Sequence, residues 1–280
     1  MRPVSRVGTP LAETADPVVT ALPPTTAPAT GADRGPSPLR IGLLVCDHVD
    51  DGLRGRSGDY PDMFRRLFAD HPGVDLVEYD LTAGRFPTRL DECDGWLTTG
   101  SRRSVYEEEG WIARLAQLVR EAARRQVPFV GVCFGHQMIA HALGGTVRRS
   151  QRGWGVGVKL VDILAAEPWM AESAGGYAIL NSHADQIVDP PTGAEVLGGN
   201  EHCPISMMRL GQTMLGIQGH PEFDVEYSRA LMEARRGVVI PEEAVRAGLL
   251  TLGHSPDRDR LAGWIVGFLR QARHERSRSG

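Results

Sequence analysis

The sequence predicts an α/β fold with a mainly parallel central sheet flanked by helices and additional antiparallel strands. Three observations predict it. Short apolar runs alternate with helical patterns from residue 39 to residue 143, the rhythm of parallel strands joined by crossover helices. The strand-like runs are apolar enough to be covered on both faces. Beyond residue 145 the pattern changes to closely following strands, among them the alternating Val156, Val158, Leu160 and Asp162.

Taken in order, residues 39–46 read as the first buried strand. Residues 47–58, rich in Gly, Asp and Arg, read as a loop. A helix over 59–70 carries Met63, Phe64, Leu67 and Phe68 at helical spacing, a core stripe. Residues 74–79 and 94–98 are the next two strands. Thr99-Gly100-Ser101-Arg102-Arg103 follows as a turn. The pattern over 110–126 is an amphipathic helix burying Ile112, Leu115, Ala116 and Val119. Residues 127–132 form a strand, and 136–143 a helix stopped by Gly144-Gly145. Strands are expected at 177–180, 195–197, 203–210 and 213–218, the last three antiparallel. Helices are expected at 225–236, 241–250 and 257–273.

The chain of 280 residues suits one large domain, drawn here at 39–273. Residues 1–38 are dominated by Pro, Ala and Thr and are expected to be a disordered tail, because such a segment buries too little apolar surface to offset its ordering entropy. Residues 274–280 are polar and expected to fray. Net charge is −4 with charges well mixed, which gives no sign of a nucleic-acid partner. No apolar run approaches the roughly 18 residues of a membrane span. Cys46, Cys93, Cys133 and Cys203 are scattered, with neither a disulfide framework nor paired metal-ligand spacing. A reducing cytoplasm and no cofactor are the corresponding expectations.

Two motifs carry chemistry. In Gly131-Val132-Cys133-Phe134-Gly135-His136-Gln137, Cys133 falls at a sharp strand-to-helix turn with glycines two residues away on each side. Small neighbours allow a tight turn that holds a nucleophile out. The following helix N-terminus favours a thiolate, and the Phe134 N–H points towards an oxyanion. In Gly219-His220-Pro221-Glu222-Phe223, Pro221 biases His220 towards an extended backbone, so His220 and Glu222 project to one side. That is a base with its orienter. Asn181-Ser182-His183-Ala184-Asp185 offers a rival pair, His183 and Asp185.

Both motifs resemble those of class I, triad-type glutamine amidotransferases, and the likeness extends over about residues 39–223. The pattern is closest to the glutaminase part of GMP synthase and its free-standing relatives. The resemblance implies a flavodoxin-like fold and a Cys133-His220-Glu222 triad. It also implies an oxyanion site using Gly100 with Phe134, and substrate contacts from Gln137, Gly153, Trp154 and His183. His183 could instead face an ammonia exit. Arg102 and Arg103 are expected to be solvated. The implied reaction is hydrolysis of the glutamine side-chain amide through a γ-glutamyl thioester, with ammonia supplied to a separate synthase in biosynthesis. The alternative is a stand-alone γ-glutamyl peptidase. No phosphate loop of the Lys-Ser/Thr type occurs, so the ammonia acceptor would be another chain.

Overall fold

The computed structural model describes residues 38–279. The tail expected at its N-terminus lies outside the described residues except for Pro38. A nine-stranded sheet has the order β2-β1-β3-β4-β11-β10-β9-β6-β7. Its strands are β1 (Leu39–Val45), β2 (Val74–Asp80), β3 (Gly95–Thr98), β4 (Phe129–Val132), β6 (Gly155–Ile163), β7 (Tyr177–His183), β9 (Ala194–Gly199), β10 (Met207–Leu210) and β11 (Met214–Ile217). Neighbours from β2 to β11 pair in parallel. From β11 to β7 every pairing is antiparallel. A separate ribbon pairs β5 (Thr146–Arg149) with β8 (Asp185–Asp189).

Strands β1, β3 and β4 are buried, apart from Arg40, because helices cover both faces, and the edge strand β2 is only partly buried. Along β1, Ile41, Leu43 and Val45 join a core with Phe64 and Leu67 of α2 (Tyr60–Leu67) and with Leu261, Ile265 and Leu269 of α7 (Arg258–Ser279). Leu44 points the other way, into a core with Leu115 and Val119 of α3 (Gly110–Arg124) and Met138 of α4 (Phe134–Ala142). The two-residue alternation of a strand thus feeds two cores. A third cluster packs Val156, Leu180 and Phe223 with Tyr227 of α5 (Val225–Arg235) and Val245 of α6 (Glu242–Thr251).

Several elements differ from the sequence reading. Residues within the expected loop 47–58 form α1 (Asp51–Ser57) despite Gly52 and Gly55. The Asn181–Asp185 segment ends β7 at His183 and begins a further strand, β8, at Asp185. The strand reaching Ile217 is antiparallel only to β10; its other edge pairs in parallel with β4. The last helix, α7, continues to Ser279, past Arg273.

Topology sets up the site. Ile217 lies opposite Val132, and Leu97 opposite Val130. The chain therefore leaves β3, β4 and β11 at one end of three adjacent strands. Gly100, Cys133 and His220 follow those exits within a few residues, where open sheets of this kind place ligands.

Candidate active site

Cys133 has φ 51° and ψ −99°, a backbone conformation unusual for a residue other than glycine. Such strain costs on the order of 1–3 kcal/mol and persists only where the surroundings fix it. Here they do. The Cys133 N–H donates to the Ile217 carbonyl at 2.8 Å, and the Cys133 carbonyl accepts from the Gln137 N–H at 3.1 Å. A Cβ on Gly131 would lie 2.3 Å from the Gly135 carbonyl carbon, and one on Gly135 only 1.7 Å from Thr98 Oγ1. Both glycines are required by the contact of strand, turn and helix. The turn makes Cys133 the N-cap of α4, with no cap bond from its thiol. Phe134, the first helical residue, supplies one of the helix's free N–H donors.

His220 is extended: its N–H donates to Leu180 O at 2.8 Å. Its Nδ1 lies 2.7 Å from Glu222 Oε1. The ring stacks on Phe223 with centroids 3.9 Å apart and planes 6° apart. A Cβ on Gly100 would come within 2.7 Å of His220 Cε1 and 3.6 Å of Cys133 Cβ, so the absence of a side chain there lets the loop approach both. Burial opposes charging of His220, but the Glu222 carboxylate and then Cys133 outweigh it and push the imidazole up to about 10. Burial pushes the Cys46 thiol up, Cys93 to about 11 and Cys203 to about 12.

A cavity of about 440 Å³ is lined by Cys133, Gln137, Trp154 and His183, among others. That is within the roughly 300–1,000 Å³ of small-molecule sites. Gly153, at φ 72°, is an exposed turn residue next to Trp154 and is not on this wall. Gln137 is tied down: its Nε2 donates to the Asp185 carbonyl at 2.8 Å and to Gln218 Oε1 at 3.2 Å. Gln218 in turn donates to Cys133 Sγ at 3.7 Å. Sequence reasoning missed Gln218, although it stands two residues before His220 and the same alternation would have put it on that side.

The rival pair is not built as a pair. His183 Nε2 meets Asn181 Oδ1 at 3.2 Å, while the Asp185 carboxylate accepts from Ser104 Oγ at 2.5 Å and Tyr106 OH at 2.9 Å. Burial, with His202 and His220 adding repulsion, pushes His183 down to about 3. Arg102 and Arg103 are exposed, as expected, and also hold ion pairs, Arg102 with Asp47 and Asp50 and Arg103 with Glu107 and Glu109. Among the described residues, no group of three or more His, Cys, Asp or Glu is arranged to hold a metal ion, and no helix is long and apolar enough to cross a membrane.

Residues 73–235 match the family described as glutamine amidotransferase class-I. The chain belongs to that family. It is 29% identical over 246 residues to a glutamine amidotransferase-like protein of Schizosaccharomyces pombe, covering 82% of this chain and 98% of that one. It is 28% identical over 247 residues to gamma-glutamyl peptidase 5 of Arabidopsis thaliana, covering 82% and 95%. A GMP synthase of Azoarcus matches at 32% over 167 residues, 56% of this chain and 30% of that one. Among solved structures, a glutamine amidotransferase from Thermotoga maritima superposes with TM-score 0.65 at 22% identity, covering 85% and 98%. That likeness extends to the mostly parallel core with its flanking helices.

Proposed function

We propose that this amidotransferase-family chain is a stand-alone γ-glutamyl hydrolase working through a Cys133-His220-Glu222 triad. The observation that carries the chemistry is the buried His220–Glu222 pair, 2.7 Å apart, beside a thiol held on a strained turn. The Cys133 thiolate attacks the γ-carbonyl carbon, and Gly100 and Phe134 N–H groups hold the oxyanion. The C–N bond breaks, and the amine leaves with the proton of the His220 imidazolium. Water then attacks the thioester, giving its proton to His220. The C–S bond breaks, glutamate leaves and the thiolate returns. Glu222 stabilises the imidazolium and fixes its orientation, and Gln218 positions the sulfur.

Two observations favour a peptide or amide larger than glutamine. The cavity beside Cys133 has a volume of about 440 Å³, within the range of sites for molecules larger than a single amino acid. The full-length relatives include gamma-glutamyl peptidases, whereas GMP synthase matches over only 30% of its own length. Supply of ammonia to a separate synthase is the second reading, favoured by that same GMP synthase match. A cytoplasmic location belongs to the proposal, because the reaction needs a reduced thiol.

Turnover of γ-glutamyl dipeptides and of glutamine by the purified chain separates the readings. Peptide hydrolysis well above glutamine hydrolysis is expected. Glutamine turnover alone, especially turnover that rises when a synthase is added, would favour the second reading. A glutamine-like electrophile should label Cys133 ahead of Cys46, Cys93 and Cys203, and equal labelling of all four would remove the case for an activated thiol.

A further inference from the structure

Residues 99–104, which carry Gly100, belong to no helix or strand. The backbone groups of such a segment have to find partners outside a ladder. One end is tied to the sheet: the Thr99 N–H donates to Leu44 O at 3.0 Å, and Thr99 Oγ1 accepts from the Cys46 N–H at 2.9 Å. The next two N–H groups, those of Gly100 and Ser101, meet no acceptor among the described residues. Gly100 is nevertheless buried, and a buried N–H without a partner is rare. The third N–H, that of Arg102, donates to Asp47 Oδ2 at 2.9 Å.

Asp47 accepts more than that bond. Arg102 Nε donates to Oδ2 and Arg102 Nη2 to Oδ1, each at 3.0 Å, the bidentate fork of a guanidinium on a carboxylate. The His48 N–H also donates to Oδ1, at 2.8 Å. These donors fill the roughly four lone-pair sites of a carboxylate. Arg102 reaches on to Asp50 through Nη1 and to the His48 carbonyl through Nη2. One carboxylate thus grips both the backbone and the side chain of Arg102. A lone exposed ion pair contributes little to stability, and the guanidinium is exposed. The consequence of this grip is geometric. It sits two residues from Gly100, where rotation of a peptide would swing the free N–H groups away from Cys133.

We infer that Asp47 and Arg102 form a positioning pair that keeps the free N–H groups of the Gly100 loop turned to the oxyanion. The inference rests on the γ-glutamyl hydrolase reading, in which Gly100 is an oxyanion donor, and adds the residues that hold the donor in place. Neither side chain moves a proton. Their contribution is preorganisation: no donor has to reorient as the tetrahedral oxyanion forms, so the acyl-transfer steps gain and ground-state binding does not. Arg102 lines the cavity, whereas Asp47 does not. An effect of Asp47 on turnover therefore runs through the loop.

Asp47→Asn keeps the side chain's size and removes its charge and one acceptor oxygen. The substrate is whichever of glutamine and γ-glutamylglycine the purified full chain turns over. With it, kcat should fall by about 10- to 100-fold, less than the roughly 10²- to 10³-fold that follows loss of an oxyanion donor itself. KM should stay within about threefold of wild type. Arg102→Gln should behave alike, and the double variant should be little worse than either single one, because the two residues act as a unit. Alkylation of Cys133 by iodoacetamide, a displacement that forms no oxyanion, should keep its wild-type rate in all three. If Asp47→Asn does not fold, Arg102→Lys takes its place: it keeps the charge, loses the fork and should show the same fall in kcat. A kcat within about twofold of wild type in the folded variant overturns the inference. A parallel loss of alkylation does so too, since the damage then lies in the nucleophile's turn. A raised KM in Arg102→Gln beside a silent Asp47→Asn makes Arg102 a substrate contact, and the positioning role falls. A wild type that turns over neither substrate overturns the hydrolase reading, and this inference with it.

Discussion

Two histidines stand next to each other at this site, in segments the sequence makes look alike. His183 ends β7, and His220 lies in an extended stretch bridged to Leu180 of the same strand. Both are buried, at 4% exposure. Yet His220 is pushed up to about 10 and His183 down to about 3. Burial acts on both in the same direction, so the difference comes from partners. His220 has a carboxylate on Nδ1 and a thiol beside it, whereas His183 has the neutral Asn181 amide and the imidazoles of His202, His220 and His136 nearby. In the proposed triad His220 serves as the acid because Glu222 stabilises its charge, a partner that His183 lacks.

The largest expected effect comes from removing the members that move atoms. Cys133→Ala should abolish γ-glutamyl hydrolysis while the chain stays folded, because no thioester forms without sulfur. His220→Asn should come close to it, since nothing then protonates the leaving amine. At unchanged thermal midpoint, turnover within tenfold of wild type would mean the wrong nucleophile in Cys133→Ala, and in His220→Asn that the contrast between the histidines has been drawn the wrong way round.

Glu222→Gln tests the cause of the contrast. The amide can still accept a hydrogen bond from Nδ1 but no longer balances the imidazolium charge. Losses of this kind reach about 10⁴-fold in a serine triad. A thiolate needs less help, so a fall in kcat of roughly 10- to 10³-fold is expected by discounting that figure. Wild-type kcat in this variant would mean the carboxylate is not what distinguishes His220. His183→Asn should cost less than about tenfold, as a change to the cavity wall rather than to the proton path. An inactive His183→Asn beside a near-normal His220→Asn would move the catalytic segment to residues 181–185.

Much of this contrast was legible in the sequence, for physical reasons. The G-x-C-x-G spacing encodes a turn in which Gly131 touches Gly135 and Gly135 touches Thr98, contacts that no other residue type permits. The X-Pro rule gave the extended His220 and the shared side with Glu222. Other features were hidden. Gly52 and Gly55 lower helix propensity, so α1 was concealed by its own composition. β11 reads as an ordinary strand, and nothing local shows that its far edge pairs in parallel with β4 and so brings His220 beside Cys133.

The smallest expected effect lies in stability, where the two histidines should act on opposite sides of neutrality. His183, depressed to about 3 in the fold, is neutral there while the unfolded chain's histidine takes up a proton below about pH 6.5. The unfolded state then binds more protons, so stability falls as pH drops from about 6.5 towards 3, by at most about 1.4 kcal/mol per pH unit. His220, raised to about 10, holds a proton that the unfolded chain has lost. Its contribution is complete below about pH 6.5 and disappears as pH rises through about 10. Each kcal/mol is worth about 2–4 °C of thermal midpoint in a domain of some 150–250 residues. Midpoints of wild type, His183→Asn and His220→Asn at pH 5, 6.5 and 9 are therefore sufficient. His183→Asn should flatten the acid limb alone, and His220→Asn the alkaline limb alone. A single substitution that flattened both limbs would mean the two imidazoles titrate as one unit, and the contrast between them would then belong to the pair and not to their separate partners.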